Sequence, residues 1–110
     1  MIIHICQGRE WQTAVEMGEY RPTSLVEEGF IHCSQPKQIL HIANSFYRGV
    51  PDLMLLWIDP QQVRAEIRWE AVLGDDFPHI YGPLNLDAVI SVKEFVPDAN
   101  GVYHTVPDIS

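Results

Sequence analysis

The sequence predicts an α+β fold, with a small sheet of antiparallel or mixed strands and two early helices. Three observations predict it, namely the length of 110 residues, the excess of predicted strands over helices, and the position of both helices in the first half. A chain of this length buries about two-thirds of its unfolded surface, which suffices for one core. Because 46% of the residues are apolar and 20% are charged, we expect one globular domain over residues 1–110.

The first quarter of the chain predicts a strand, a helix and a connector. Ile2–Cys6 is a short apolar run that Gly8 ends, which indicates a buried strand. Apolar residues at helical spacing follow and predict a helix over residues 9–18. Residues 21–24 are the predicted connector, because Pro22 disfavours helix in the residue before it.

A second strand and a second helix follow. Residues 30–33 predict the strand, which is entered through a glycine. Ser34 is a good helix N-cap, and Pro36 suits a first helical turn, where no N–H is needed. Apolar residues then recur every three or four positions as far as Tyr47, so we expect a helix with one buried face that Gly49 ends.

The remaining chain predicts mainly strands. Leu53–Ile58 is a continuous apolar run, typical of a central strand that is covered on both faces. Further strands are expected at residues 63–72, 79–81, 91–96 and 102–106, with a loop at 74–78 and a turn or short helix at 84–90. The last two strands are expected to pair around a turn at residues 98–101.

The charge of the chain excludes several function classes. Seven basic and fifteen acidic residues give a net charge of −8, and the basic residues are scattered. Nucleic-acid binders need basic patches that neutralise phosphates, so DNA, RNA and anionic membranes are poor candidate partners. No apolar run approaches the ~20 residues that span a bilayer, and the N-terminus lacks signal-peptide features. We therefore expect a cytoplasmic protein in which Cys6 and Cys33 stay reduced.

Histidines are the main candidates for chemistry. His4, His32 and His79 each lie within a short predicted strand, whereas we expect no chemical role for His41, on the polar face of a helix, or for His104, near the C-terminus. A buried histidine without a hydrogen-bond partner costs roughly 1–3 kcal/mol, so each strand histidine needs a partner or a cleft. A satisfied core histidine explains any one of them, but three on one small sheet favour a shared cleft.

Two dense segments, residues 27–34 and 77–85, surround these histidines. Side chains alternate along a strand, so Phe30 and His32 share one face, and the residues between them take the other. Ser34 either caps the next helix alone or also borders a ligand. The prolines and glycine of the second segment predict a stiff loop around Tyr81.

Metal and nucleophile chemistry have weaker signals. Histidine and cysteine are zinc ligands, but neighbouring strand residues such as His32 and Cys33 point to opposite faces and do not share one ion. A cysteine nucleophile has no supporting signature, and the chain lacks a glycine-rich phosphate loop and a nucleophile elbow.

Over residues 3–96 the chain resembles a small bacterial family of uncharacterised single-domain proteins. The matching residues are Ile3-His4-Ile5, Trp11, Ala14, Ser24-Leu25, Glu28 to Ser34, Ala43-Asn44, Phe46-Tyr47, Leu53 to Asp59, and Phe77 to Asn85. That family in turn resembles the ADP-ribosyltransferase fold of poly(ADP-ribose) polymerases and RNA 2′-phosphotransferases, which implies a small split sheet of antiparallel or mixed strands. His4 matches the histidine on the first strand of that fold, and His32 matches the residue just before a helix.

This second resemblance implies a site for NAD or ADP-ribose, with ADP-ribosyl transfer or NAD cleavage as its chemistry. It implies that His4 hydrogen-bonds the ribose, that His32 stacks on nicotinamide, and that His79, Ile80 or Tyr81 takes the third position. The implied catalytic residues are His4, His32 and His79, and the implied nucleotide contacts are His4, His32, Ser34, Tyr47 and Tyr81.

The chain also departs from the transferase pattern. Ile5 replaces the glycine that follows the first histidine, and the third position lacks glutamate, which argues against protein ADP-ribosylation. Glu94, on a later strand, is an alternative match for that position. The acidic balance argues against an RNA substrate. A non-catalytic module that binds a small molecule or a protein in the same cleft is therefore the alternative, and a histidine metal site is the third.

Overall fold

The computed structural model describes residues 1–109 as an α+β fold with three small sheets, in which every strand pair is antiparallel. The strands are β1 (Ile2–Gln7), β2 (Glu19–Tyr20), β3 (Ile31–His32), β4 (Leu53–Ile58), β5 (Glu66–Val72), β6 (Asp75–Tyr81), β7 (Leu84–Asn85) and β8 (Val89–Glu94). The α-helices are α1 (Gly8–Met17), α2 (Thr23–Glu27) and α3 (Ile39–Phe46). The predicted α+β class is confirmed.

Two three-stranded sheets carry the architecture. The strand order is β1-β4-β8 in the first sheet and β3-β6-β5 in the second, while β2 and β7 pair separately. A short bridge joins the two sheets, because the backbone N–H groups of Ile3 and Ser34 each donate to the other residue's carbonyl at 2.8 Å. This bridge brings the end of β3 beside β1.

Alternation along β4 divides the core in two, as expected for a strand that is covered on both faces. Leu56 and Ile58 face the second sheet, in a cluster that includes Ile31 and Ile80. Leu55 lies on the opposite face, in a second cluster with the buried residues of α3. The first cluster therefore fills the space between the two sheets.

The hairpin of β5 and β6 differs from the prediction of a loop at residues 74–78. Leu73 and Gly74 have φ angles of 53° and 84°, so these two residues make the whole turn. Two-residue turns of this kind match the twist of the flanking strands, and β6 consequently begins at Asp75. The hairpin is thus longer than the sequence pattern indicated.

Two helices also differ from expectation. Helix α2 was not predicted, and it begins inside the predicted connector at residues 21–24, because the extended backbone of Pro22 acts as its N-cap. The turn before α3 is capped by Gln35 rather than by Ser34, since Oε1 of Gln38 accepts a hydrogen bond from the Gln35 N–H at 2.8 Å. The Ser34 side chain is therefore not used as a helix cap.

The C-terminal segment forms no strand at residues 102–106, although the expected turn at 98–101 is present. The carboxamide of Asn44 binds the backbone N–H and carbonyl of Tyr103 at 2.8 and 2.9 Å. The indole of Trp57 donates to the carbonyl of Pro107 at 3.2 Å. Side chains of α3 and β4 thus form the hydrogen bonds to this backbone segment that a neighbouring strand would otherwise form. Within residues 1–109, no helix is long and apolar enough to cross a membrane.

Candidate functional site

His4 lies between the two sheets. It lies on the same side of β1 as Ile2 and Cys6, because residues two positions apart on a strand share one face. Both of those residues belong to the core cluster between the sheets. The residue is 6% exposed, with Nδ1 at 2.5 Å from the His32 carbonyl oxygen and Nε2 at 2.7 Å from the Tyr20 hydroxyl. Because a carbonyl only accepts, Nδ1 donates to it and Nε2 accepts from the hydroxyl. Both ring nitrogens are thus occupied.

Burial controls the charge of these groups. It lowers the pKa of His4 to about 4, so this ring is neutral at neutral pH. Burial also raises the pKa of Tyr20. It raises the pKa of Cys6, whose thiol hydrogen-bonds the Tyr20 hydroxyl, to about 12. We call His4, Tyr20 and Cys6 the closed network, since these three side chains satisfy one another inside the core.

The outer face of the second sheet carries the other two strand histidines. His32 of β3 pairs directly with His79 of β6, and their ring centroids are 5.5 Å apart. Phe30 lies against both rings, and it stacks on His79 at 4.2 Å with an interplanar angle of 21°. Ile31, in contrast, is buried in the core cluster. The predicted sharing of one face by Phe30 and His32 is confirmed.

Glu70 organises the His79 side of this face. Its Oε1 accepts hydrogen bonds from Nδ1 of His79 at 2.8 Å and from the Tyr81 hydroxyl. These bonds, the one from Tyr81 first, hold the pKa of Glu70 below its ordinary value, so the carboxylate is ionised at neutral pH. The guanidinium of Arg68 lies 4.2 Å from the centre of the Tyr81 ring. We call Glu70, His79 and Tyr81 the open cluster.

His32 is the exposed member of the three histidines. Its side chain is half exposed, and its Nε2 lies 2.8 Å from a carboxylate oxygen of Glu28, which is equally exposed. Its backbone carbonyl meanwhile binds His4. Thus the backbone of His32 faces the closed network, while its ring faces solvent and the open cluster.

Two open cavities meet at His32. The smaller, of about 310 Å³, is lined among others by His4, Gln7 and Tyr47. The larger, of about 660 Å³, has a mostly apolar lining that includes Phe30 and His79. His32, Phe46 and Tyr47 line both cavities, which makes them two parts of one cleft.

The structure distributes the predicted site residues over this cleft. His4 lines only the smaller cavity, Ser34 and His79 only the larger, and His32 and Tyr47 both. Tyr81 lines neither, although it contacts Phe30 and Glu70 on the same sheet face. The three histidines therefore do not converge on one point.

Sequence reasoning missed Glu70 and the exposed Phe46. The alternation within residues 66–72 places Glu66, Arg68 and Glu70 on one face of β5. This alternation was a sequence signal that could have identified Glu70. The pairing of β5 with β6, which brings Glu70 to His79, had no local signal. Within residues 1–109, no group of three or more histidine, cysteine or acidic side chains is placed to hold a metal ion.

Comparisons with known proteins place the chain among relatives. The model of a family described as "Protein of unknown function (DUF952)" matches residues 5–92. Protein CC0527 from Caulobacter crescentus is 31% identical, and its crystal structure superposes with a TM-score of 0.86 over 94% of this chain and 92% of that one. Its solution NMR structure gives a TM-score of 0.75 over 93% and 90% of the chains at the same 31% identity. No curated protein matches the chain. The expected small family without an assigned function is thus confirmed, while the resemblance to ADP-ribosyltransferases stays an expectation.

Proposed function

The chain belongs to the DUF952 family, and we propose that its two-part cleft binds NAD or ADP-ribose and serves to cleave bound NAD. The observation that carries the proposal is the meeting of two cavities, of about 310 and 660 Å³, at the exposed ring of His32. Ligand pockets commonly measure about 300–1,000 Å³, so the cleft has room for a base together with a ribose.

The larger cavity supplies the features that a planar, positively charged ring needs. Phe30, Phe77 and the ring of His32 offer aromatic faces. The pyridinium ring of NAD carries a positive charge, which aromatic faces attract. The carboxylate of Glu28, which holds His32, adds negative charge at the edge of the same cavity. The nicotinamide end of the ligand is therefore assigned to this part of the cleft.

The smaller cavity takes the rest of the nucleotide. Gln7 lines it, and the Gln7 side chain accepts a hydrogen bond from the guanidinium of Arg9 at 3.3 Å. Arg9 thus hydrogen-bonds a residue of the cavity wall, and it is the group that we assign to the ligand's phosphates. His4 shapes the wall of the cavity, because its two ring nitrogens already have partners.

Cleavage of NAD builds positive charge on the ribose as the bond to nicotinamide breaks. Electron-rich groups that face this charge stabilise the transition state. His32 and Glu28 are the groups of the cleft that we assign to this role. The family-level resemblance to ADP-ribosyltransferases, with His4 and His32 in the first two marked positions, supports the same chemistry.

A non-catalytic binding module is the second candidate. It is favoured by the net charge of −8 and by the internal hydrogen bonds that occupy His4. In this alternative the cleft binds the nucleotide and leaves it intact.

Calorimetric titration with NAD and with ADP-ribose tests the binding. We expect His32→Ala to weaken binding about tenfold, since a stacked ring contributes roughly 1–3 kcal/mol per base. His41→Ala is the matched control, because His41 is exposed on α3 and lines neither cavity. The absence of heat with both nucleotides at millimolar concentration would exclude the proposal.

Mass spectrometry of the same mixtures separates the two candidates. Release of nicotinamide by the wild-type protein supports the enzyme. Intact NAD together with measurable binding supports the module.

A further inference from the structure

We infer that Glu70 and His79 form a proton-accepting pair at the wall of the larger cavity, in which Glu70, behind the wall, is a positioning residue and His79, which lines the cavity, receives the proton of an attacking hydroxyl group. The inference rests on the proposed function, because the hydroxyl belongs to the water or alcohol that attacks the ribose of bound NAD. Beyond that proposal, it assigns a role to Glu70 and identifies the molecule that accepts the ADP-ribosyl group as water or an alcohol.

The ring of His79 is held in one orientation. The residue is 4% exposed although it lies on the outer face of the second sheet. Phe30 covers one side of the ring at 4.2 Å, and Glu70 holds Nδ1 at 2.8 Å. A stacked ring with one hydrogen-bonded nitrogen has little rotational freedom, so the position of its other nitrogen is set as well.

The contact with Glu70 determines the tautomer of His79. An ionised carboxylate only accepts hydrogen bonds, so in the neutral ring the proton lies on Nδ1, and Nε2 carries a lone pair. No hydrogen bond to Nε2 is present within residues 1–109, and no fully enclosed side-chain nitrogen or oxygen there lacks a partner. Since the ring lines the larger cavity, Nε2 opens onto it. A nearly buried histidine with a free acceptor nitrogen indicates a ligand that donates a hydrogen bond.

Glu70 is itself held by Tyr81, and the Tyr81 ring is in turn covered by Arg68. The Tyr81 hydroxyl donates to the same Oε1 that holds His79, and the guanidinium of Arg68 lies over the Tyr81 ring. The outer face thus fixes the carboxylate before any ligand binds, which is how a histidine base is commonly oriented. The other carboxylate–histidine pair, Glu28 with His32, is half exposed and has no comparable support.

The proposed step balances without a further reactant. The oxygen of a water molecule or an alcohol forms a bond to C1′ of the ribose. The bond from C1′ to the nicotinamide nitrogen breaks, and its electron pair leaves with neutral nicotinamide. The proton of the attacking hydroxyl passes to Nε2 of His79, and the carboxylate of Glu70 stabilises the imidazolium ion that results.

Kinetics and NMR on full-length protein test the pair together. We expect Glu70→Gln to lower kcat for nicotinamide release about 100-fold, the lower end of the range for general-base catalysis, because Glu70 acts through His79, with KM changed by less than about twofold. Glu70→Asp should restore part of the rate. Glu66→Gln is the matched control, because Glu66 lies on the same face of β5 and pairs with Arg68 instead.

Long-range ¹H–¹⁵N correlation of the His79 ring gives a readout that does not need activity. We expect the proton on Nδ1 in the wild-type protein and a shift of the tautomer towards Nε2–H in Glu70→Gln, but no change in Glu66→Gln. A wild-type ring protonated on Nε2 overturns the inference, whatever happens to NAD.

The proposed function and the inference fail in different ways. If neither nucleotide binds, the proposed function falls, and the reaction assigned to the pair falls with it. If NAD binds and is cleaved while Glu70→Gln keeps the wild-type kcat, the proposed function stands and the pair is overturned. If NAD binds and stays intact, the base role is overturned while nucleotide binding stands.

Discussion

The closed network and the open cluster each contain a nearly buried histidine, yet the two histidines are bonded in opposite ways. His4 uses both ring nitrogens inside the protein, whereas His79 uses Nδ1 and leaves Nε2 to a cavity. The first arrangement satisfies buried polar groups, which is a requirement of stability. The second leaves hydrogen-bonding capacity for a ligand. Burial of a histidine therefore says little about its role until each nitrogen is accounted for.

The largest expected difference between the two regions is in stability. We expect His4→Leu to lower the free energy of unfolding by roughly 3–5 kcal/mol, because it removes the acceptor of the buried Tyr20 hydroxyl proton and the side-chain donor to the His32 carbonyl. His79→Leu should cost about 1 kcal/mol, since the partly exposed Glu70 regains water and leucine keeps the apolar contact. Urea denaturation monitored by circular dichroism measures both. Equal losses in the two variants would contradict the comparison.

The pH dependence of stability should come from the closed network. The pKa of His4 is about 4 in the folded protein, whereas an unperturbed histidine has a pKa of 6.5, so between these values the unfolded state binds more protons. The stability from neutral His4 is thus complete above pH 6.5 and is lost as the pH falls towards 4, by about 3 kcal/mol. Urea denaturation at several pH values checks this.

His4→Gln is the matched variant for the pH experiment. Glutamine offers one donor and one acceptor but does not titrate, so its stability should vary less between pH 6.5 and 4 than that of the wild type. An unchanged pH profile in this variant would show that another group is responsible.

The two tyrosines provide a smaller contrast. Tyr20 is 2% exposed, and its hydroxyl binds His4 and Cys6, so Tyr20→Phe should cost about 1–2 kcal/mol. Tyr81 is partly exposed, and Tyr81→Phe should change the free energy of unfolding by less than about 0.5 kcal/mol. Thermal unfolding of the two variants compares them directly. A larger loss from Tyr81→Phe would reverse the roles of the two regions.

Thiol chemistry gives the smallest expected signal. Cys6 and Cys33 are free and buried, and burial raises the pKa of both thiols. We expect neither to react with a disulfide reagent at about pH 8 in the native protein, and both to react in urea, because the thiolate is the reactive form. Fast native labelling of Cys33, which lines the larger cavity, would show that this cavity opens deeper than the structure indicates.

Much of the fold was predictable from local pattern. The apolar runs at β1 and β4 and the helical spacing of α1 and α3 predicted those elements close to their observed bounds. The start of α2 and the full length of β6 were missed, because both depend on turns made by two or three residues. The C-terminal strand was predicted from alternation alone, but Asn44 and Trp57 hold that segment by side-chain hydrogen bonds instead.

The candidate site was only partly predictable. Alternation placed Phe30 and His32 on one face, and the register of β3 against β6 then brought His79 beside them. We expected His4 to share one cleft with His32 and His79 because all three lie on predicted strands. A position on a strand, however, does not determine which sheet or helix the side chain packs against. Glu70 had a visible periodicity but no visible partner, because His79 lies nine positions further along the chain, beyond the hairpin turn.

The sequence by itself determined which side of its strand each histidine takes, because the two-residue period is a property of the local backbone. Only the tertiary structure decided what each side meets. Pairing partners and sheet packing come from contacts between distant residues, and they put His4 in the core between two sheets and His79 on an outer face beside a carboxylate. For that reason three similar strand histidines have different surroundings, and of the two that are nearly buried only His79 keeps a ring nitrogen free.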